Sequence, residues 1–320
     1  MLVSKLSGTR ILRHHWQWSI CALPREDSKF GFRRSEDAFY VSPSRADGTL
    51  NFGLADGVGG LRGRGADPGI FATRLMILAA ARVARVAIAP TPRNVLKDAA
   101  AGLAAERVAG GATALVARVS VDGFLSARNL GDCTLLVARA DGAIVAGAER
   151  GLAAFDTPRQ LGAVFDGGPP LRFDTPAAAL PFEAQLEVGD WIIAATDGLT
   201  DNVFPDDIAA LLKKAASGGA GIGVGVGGGG NPSVALACTL VAAARANAND
   251  RTRDSPFALL AKENDVAWTK GGRPDDMTVL VARWMVGEGE EGEGQGRVHG
   301  GFDALLDKSA VGLVPVNCAG

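Results

Sequence analysis

Histidine is almost missing from this chain. Three occur in 320 residues, at His14, His15 and His299, and none lies in a strongly patterned segment. A Ser-His-Asp triad, an H-E-x-x-H zinc site or a histidine-rich metal centre needs imidazoles inside the folded core, so those chemistries are excluded. Cysteine is as sparse. Cys21, Cys133, Cys238 and Cys318 are scattered, with no C-x-x-C pair. That spacing indicates neither a zinc cluster nor a disulfide framework, and a reducing compartment fits it. No apolar run reaches the roughly 18 residues of a membrane span. An excess of charge of one sign is missing too: the net charge is −2, which gives no electrostatic footing for nucleic acid. Whatever chemistry this chain performs rests on carboxylates, arginines and backbone.

What is present is a large apolar fraction, 47 %, enough for one large domain or two small ones. There are also Asp-Gly pairs in unequal settings. Asp-Gly is a strong hairpin signal because both residues tolerate positive φ. Asp47-Gly48, Asp122-Gly123 and Asp141-Gly142 lie between strand-like runs and read as turns. Asp56-Gly57 and Asp197-Gly198 do not. Asp56 ends the run 50–55 and is followed by the glycine-rich 58–63. Asp197 ends the apolar run 191–196 and precedes a helix-like stretch. Asp275-Asp276 stands just before the strand-like 277–284.

Three strand ends therefore carry carboxylates, which are unfavourable to gather and bury unless a cation shares the site. For a set of oxygen ligands that cation is Mg2+ or Mn2+. Glu36-Asp37, before the strand 38–41, either adds two carboxylates or is loop charge beside Arg33 and Arg34. Asp201, four residues after Asp197, reaches the same helical face. It either backs the ligands or caps the helix.

Apolar periodicity predicts strands at 16–23, 38–42, 50–55, 113–119, 124–129, 134–139, 143–146, 182–186, 191–196 and 277–284. It predicts helices at 69–88, 94–108, 206–216 and 233–247. Strands, two helices, a block of strands, more helices and a last strand are not the alternation of a parallel sheet. They predict antiparallel sheets stacked together with helices outside. Residues 147–180 read as a surface flap. The stretch 217–230 is a glycine-rich insertion. Its G-x-G-x-x-G at Gly223, Gly225 and Gly228 lacks the strand and helix of a nucleotide fingerprint. Cys133 and Arg139 have the spacing of cysteine phosphatases, but a strand between them holds them roughly 20 Å apart.

Six motifs then occur in order. They are Glu36-Asp37-Ala38-Phe39, Ala55-Asp56-Gly57-Val58-Gly59-Gly60, Gly111-Ala112-Thr113-Ala114, Asn129-Leu130-Gly131-Asp132, the stretch from Ala195-Thr196-Asp197-Gly198 to Asp201-Asn202, and Gly271-Gly272-Arg273-Pro274-Asp275-Asp276. Together they resemble the PPM family, the metal-dependent type 2C Ser/Thr protein phosphatases, over residues 17–286. Residues 65–69, 156–161 and 255–258 further resemble its organellar branch, found in mitochondria and chloroplasts.

The resemblance implies an α+β fold, a four-layer α-β-β-α sandwich of two mainly antiparallel sheets flanked by helices. It implies two Mn2+ or Mg2+ ions held by Asp56 with the Gly57 carbonyl, by Asp197 and by Asp275, the residues that hold the attacking water. Glu36 holds a water on the metal, and Asp132 serves a third, weaker metal site. Asp37 and Asp201 stand behind the ligands. The implied reaction is hydrolysis of phosphoserine and phosphothreonine in proteins. A small-molecule phosphomonoesterase and a non-catalytic binding protein on the same fold remain alternatives.

Two positions depart from the family pattern. Val58 stands where many members have a histidine that donates a proton. Phe32 stands at the usual phosphate-binding arginine, leaving Arg33 or Arg34 for that role. A monomer is expected. Residues 1–16 are basic and read either as a transit segment or as an exposed terminus, with the cytoplasm as the alternative location. Residues 287–320 are expected to be a tail.

Overall fold

A two-residue period runs through the strands and assigns each face to a layer. In the computed structural model, which describes residues 13–27, 31–32, 35–42, 48–86, 88–217, 231–268, 270–287, 295–299 and 315–316, the principal strands are β1 (Arg13–Leu23), β2 (Ala38–Ser42), β3 (Leu50–Ala55), β4 (Ala114–Val119), β5 (Phe124–Leu130), β6 (Thr134–Ala138), β7 (Ile144–Gly147), β8 (Leu180–Gln185), β9 (Trp191–Ala195) and β10 (Met277–Gly287). One sheet has the antiparallel order β8-β5-β4-β3-β2. The other runs β7-β6-β9-β10-β1, also antiparallel. The short strand Gln295–His299 continues it in parallel beside β1, and Pro315–Val316 pairs beyond. This sheet therefore reaches past both expected edges of the domain, 17 and 286.

The period explains why β9 is apolar at every position. Ile192 and Ala194 face the layer between the sheets, with Trp16, Trp18 and Ile20 of β1 and Phe52 and Leu54 of β3. Trp191, Ile193 and Ala195 face the other way, onto a helical layer. The helices are α1 (Pro68–Ala84), α2 (Pro92–Glu106), α3 (Asp197–Thr200), α4 (Pro205–Ala216), α5 (Pro232–Asn249) and α6 (Pro256–Glu263). Leu75 and Met76 of α1 and Val95 and Leu96 of α2 cover the five-stranded sheet at Tyr40, Ala114 and Val116. Leu236 and Leu240 of α5, with Ile208 and Leu212 of α4, cover the larger sheet. The result is the predicted four-layer α-β-β-α sandwich.

Four helices begin on a capping side chain followed by proline: Asp67-Pro68, Thr91-Pro92, Asn231-Pro232 and Ser255-Pro256. The cap oxygen accepts an orphan backbone N–H, and proline contributes a preset φ where no N–H is needed. Helices therefore start one or two residues earlier than the apolar period predicts, and α6 was not anticipated. Helix α1 stops at Ala84 rather than 88. Val86 and Ile88 are β-branched, and Pro90 pushes its predecessor out of helical geometry. The flap holds short strands at Leu152–Ala154, Thr157–Pro158 and Leu161–Ala163. The stretch 218–230 and the turn residues 43–47 lie outside the described residues.

Among the described residues, no helix is long and apolar enough to cross a membrane. Cys133 is buried and Arg139 pairs with Asp190, so no cysteine-phosphatase loop forms there.

Candidate active site

The two anomalous Asp-Gly pairs are not turns. Gly48, Gly123 and Gly142 have φ of +73°, +80° and +87°, whereas Gly57 and Gly198 lie outside the left-handed region. These two glycines serve close approach instead. A Cβ on Gly57 would lie 2.6 Å from the Pro68 carbonyl oxygen, and one on Gly198 would lie 2.0 Å from the Asp276 carbonyl oxygen. Only a residue without a side chain lets these backbones meet.

Three segments hold Asp56 where β3 ends. Its N–H donates to Thr113 Oγ1 at 3.1 Å and its carbonyl accepts from Thr113 N at 2.9 Å. Gly57 N donates to the Glu36 carbonyl at 3.2 Å, and Val58 N to the Gly111 carbonyl at 2.8 Å. Asp197 opens α3 directly after β9. Thr196 beside it is tied to Thr278 of β10 in both directions: each backbone N–H finds an oxygen of the other residue at 3.1 Å. Thr196 also donates its hydroxyl hydrogen to Asp37 Oδ2 at 2.8 Å. Asp276 accepts the backbone N–H of Glu36 and of Arg25, each at 2.6 Å. Glu36 pairs through its side chain with Arg62. Asp132 follows β5, next to Gly131, whose φ is +108°.

The fold thus brings Asp56, Asp197, Asp275, Asp132, Asp37 and Asp201 to one end of the sandwich. Their electrostatics follow from this placement. Burial pushes the Asp56 carboxyl well up, and the charges of Asp197, Asp37, Asp275 and Asp132 push it further. Burial followed by Asp276 raises Asp37. Burial and then Asp197 raise Asp201 to about 8 and Asp275 to about 7. Such a cluster holds its protons unless cations enter it.

The chemistry of the donors fits a hard divalent ion. Among the described residues all the side-chain donors here are oxygens, and two buried ones, Asp37 Oδ1 and Asp197 Oδ1, have no hydrogen-bond partner. As the side chains stand, no group of three or more His, Cys, Asp or Glu among the described residues is placed to hold a metal ion. Arg273 stands among them, 3.5 Å from Asp197 Oδ2 and 3.8 Å from Asp275 Oδ2.

Arg33 and Arg34 lie outside the described residues. Sequence reasoning gave no role to Asp276, Arg62, Arg150 or Arg273. Arg273 had a signal, its place two residues before Asp275. Arg150 had none, because the flap carries no periodic pattern.

No protein-family model matches the chain. The protein phosphatase PTC7 homolog fig of Drosophila virilis is 35 % identical over 268 residues, covering 80 % of this chain and 79 % of that protein. The homolog of Drosophila grimshawi is 34 % identical over 260 residues, covering 78 % and 79 %. Among solved structures, the photosystem II phosphatase PBCP superposes with a TM-score of 0.68 at 26 % identity, over 84 % of this chain and 98 % of its own. The catalytic domain of the serine/threonine phosphatase PstP, solved with manganese, has a TM-score of 0.52 at 15 % identity over 85 % and 99 %, which shows the shared fold. Similarity at this level, sustained over 80 % of the sequence, places the chain in the PTC7 family of protein phosphatases, metal-dependent enzymes of type 2C.

Proposed function

We propose that the chain removes phosphate from phosphoserine and phosphothreonine in proteins at the carboxylate cluster, as a monomer. The observation that carries this reading is the meeting of Asp56, Asp197 and Asp275 from three separate strand ends, with buried carboxylate oxygens left unpaired. Asp56 with the Gly57 carbonyl, Asp197 and Asp275 would hold two Mg2+ or Mn2+ ions. When bound, these supply a water deprotonated at neutral pH and neutralise charge on the phosphoryl oxygens.

The chain's own residues do the rest. Glu36 orients water at the edge of the cluster. Asp276 fixes its backbone by accepting its N–H. Asp37, held by Thr196, and Asp201 set the ligands behind. Arg33 or Arg34, three or two residues before Glu36 in the sequence, takes the phosphoryl group. Val58 offers no proton, so the leaving serine oxygen takes one from water. The relation to a photosystem II phosphatase and the basic start of the chain support a mitochondrial or chloroplast location.

Rates on phosphoserine, phosphothreonine and phosphotyrosine peptides, set beside a sugar phosphate and an aryl phosphate, test the substrate class. Phosphoserine and phosphothreonine peptides are expected to give at least about tenfold higher kcat/KM than the sugar phosphate. A preference for the sugar phosphate would favour the small-molecule reading.

A further inference from the structure

The resemblance assigns Asp132 to a third, weaker metal site, yet that corner of the cluster already holds positive charge. Arg150 Nη2 lies 3.8 Å from Asp132 Oδ2 and 3.9 Å from Asp201 Oδ1. Arg273 Nη1 lies 2.7 Å from the other Asp201 oxygen, 2.7 Å from Asp156 Oδ1 and 3.5 Å from Asp197 Oδ2. Each oxygen of Asp201 thus faces its own guanidinium, and Arg150 spans the gap to Asp132.

Arg273 is not a side chain that drifted inward. Its backbone N–H donates to Asn202 Oδ1 and its carbonyl accepts from Asn202 Nδ2, both at 2.8 Å. Its guanidinium lies 4.6 Å from the centre of the Phe257 ring, which is braced by Phe155 and Trp268. A planar cation stacked on an aromatic face is held in one orientation. Arg273 makes directed, charged hydrogen bonds to carboxylates and Arg150 adds positive charge at ion-pair distance, which together supply what a weakly bound cation would. A divalent ion entering between Asp132 and Asp201 would have to displace them or sit against them.

We infer that Arg150 and Arg273 take the place of a third divalent cation, so the chain binds two ions and not three. The inference rests on the reading that Asp56, Asp197 and Asp275 hold two ions. It also gives the flap a task, since Arg150 and Asp156 both come from it. The built-in cations tie the flap to the cluster, so its position does not depend on an ion that comes and goes.

The test is a count of Mn2+ bound per chain at saturation, by equilibrium dialysis with elemental analysis. Wild type is expected to saturate at two. Arg150→Gln and Arg273→Gln are each expected to take up a third, at least about tenfold more tightly than wild type does. Arg273→Lys keeps the charge and is expected to stay at two. Wild type saturating at three overturns the inference and leaves the two-ion reading standing. Glutamine variants that fold and still stop at two overturn it as well. Wild type that binds none overturns the two-ion reading and the inference together. Arg150, with a partly exposed side chain on the flap, is the position whose substitution least threatens folding, and the wild-type count stands by itself.

Discussion

Thr196 donates its hydroxyl hydrogen to Asp37 at 2.8 Å and so joins the ends of the two sheets. Asp37 precedes β2 of the smaller sheet, and Thr196 follows β9 of the larger one. Both are buried. The same hydroxyl oxygen accepts the Thr278 N–H at 3.1 Å. Thr196→Val keeps the shape, leaves both partners unsatisfied and should cost about 1–3 kcal/mol. Thermal unfolding checks it: Tm falls by several degrees. An unchanged Tm would mean that the two sheet ends are held by packing alone.

The proposed ligand carboxylates should behave in the opposite way. Burial raises all three carboxyls; Asp197 and Asp275 raise Asp56 further, and Asp197 raises Asp275 further, a sign of repulsion when they ionise. Asp56→Asn, Asp197→Asn or Asp275→Asn should therefore leave the metal-free fold intact while lowering the rate by about a hundredfold or more. Circular dichroism and steady-state rates check the pair of outcomes. Collapse of the fold, or near-normal turnover, would mark these residues as structural caps.

Burial, with this repulsion added to it, makes the metal-free protein sensitive to pH. Asp201 is raised to about 8 and Asp275 to about 7, whereas an unfolded carboxyl titrates near 3.9. Across that interval the folded state binds more protons than the unfolded one. Stability is therefore highest near the unfolded value and falls as pH rises through the folded ones. In chelator, Tm should drop between about pH 5 and pH 8.5, and saturating Mg2+ should flatten the drop, because it binds the deprotonated carboxylates. A metal-free Tm that climbs with pH over this range would contradict the account.

Val58 sets the dependence on the leaving group. It is half-buried, with its N–H bonded to Gly111, and cannot donate a proton from its side chain. Wild-type rates should thus rise as the leaving group becomes a weaker base. Val58→His should speed phosphoserine peptides by up to about tenfold and leave an aryl phosphate little changed, given the usual worth of a general acid. Paired measurements on the two substrates decide it. A wild-type rate indifferent to leaving-group pKa would show that another group already donates the proton.

Much of this was legible in the sequence because strand burial and turn chemistry are local. The run ending at Ala195 is apolar throughout because β9 is covered on both faces. Asp56-Gly57 and Asp197-Gly198 stood out because their flanks could not form hairpins, and the structure shows glycines chosen for backbone approach. The arginines were not legible. Arg150 and Asp132 are neighbours only because the flap folds back, and Arg273 meets Asp156 across 117 residues. No spacing rule reports contacts of that range. Asp276 was hidden for another reason: it acts on the backbone N–H groups of Arg25 and Glu36, an interaction that leaves no mark in residue type at the partner positions.

The most direct test of the carboxylate cluster as a metal-dependent phosphatase centre is phosphate release from a phosphoserine peptide while Mn2+ is titrated into exhaustively chelated protein. The account predicts no turnover without metal, saturable recovery as Mn2+ or Mg2+ is added, and recovery reduced about a hundredfold or more in Asp197→Asn. Full turnover by the chelated wild type would contradict it.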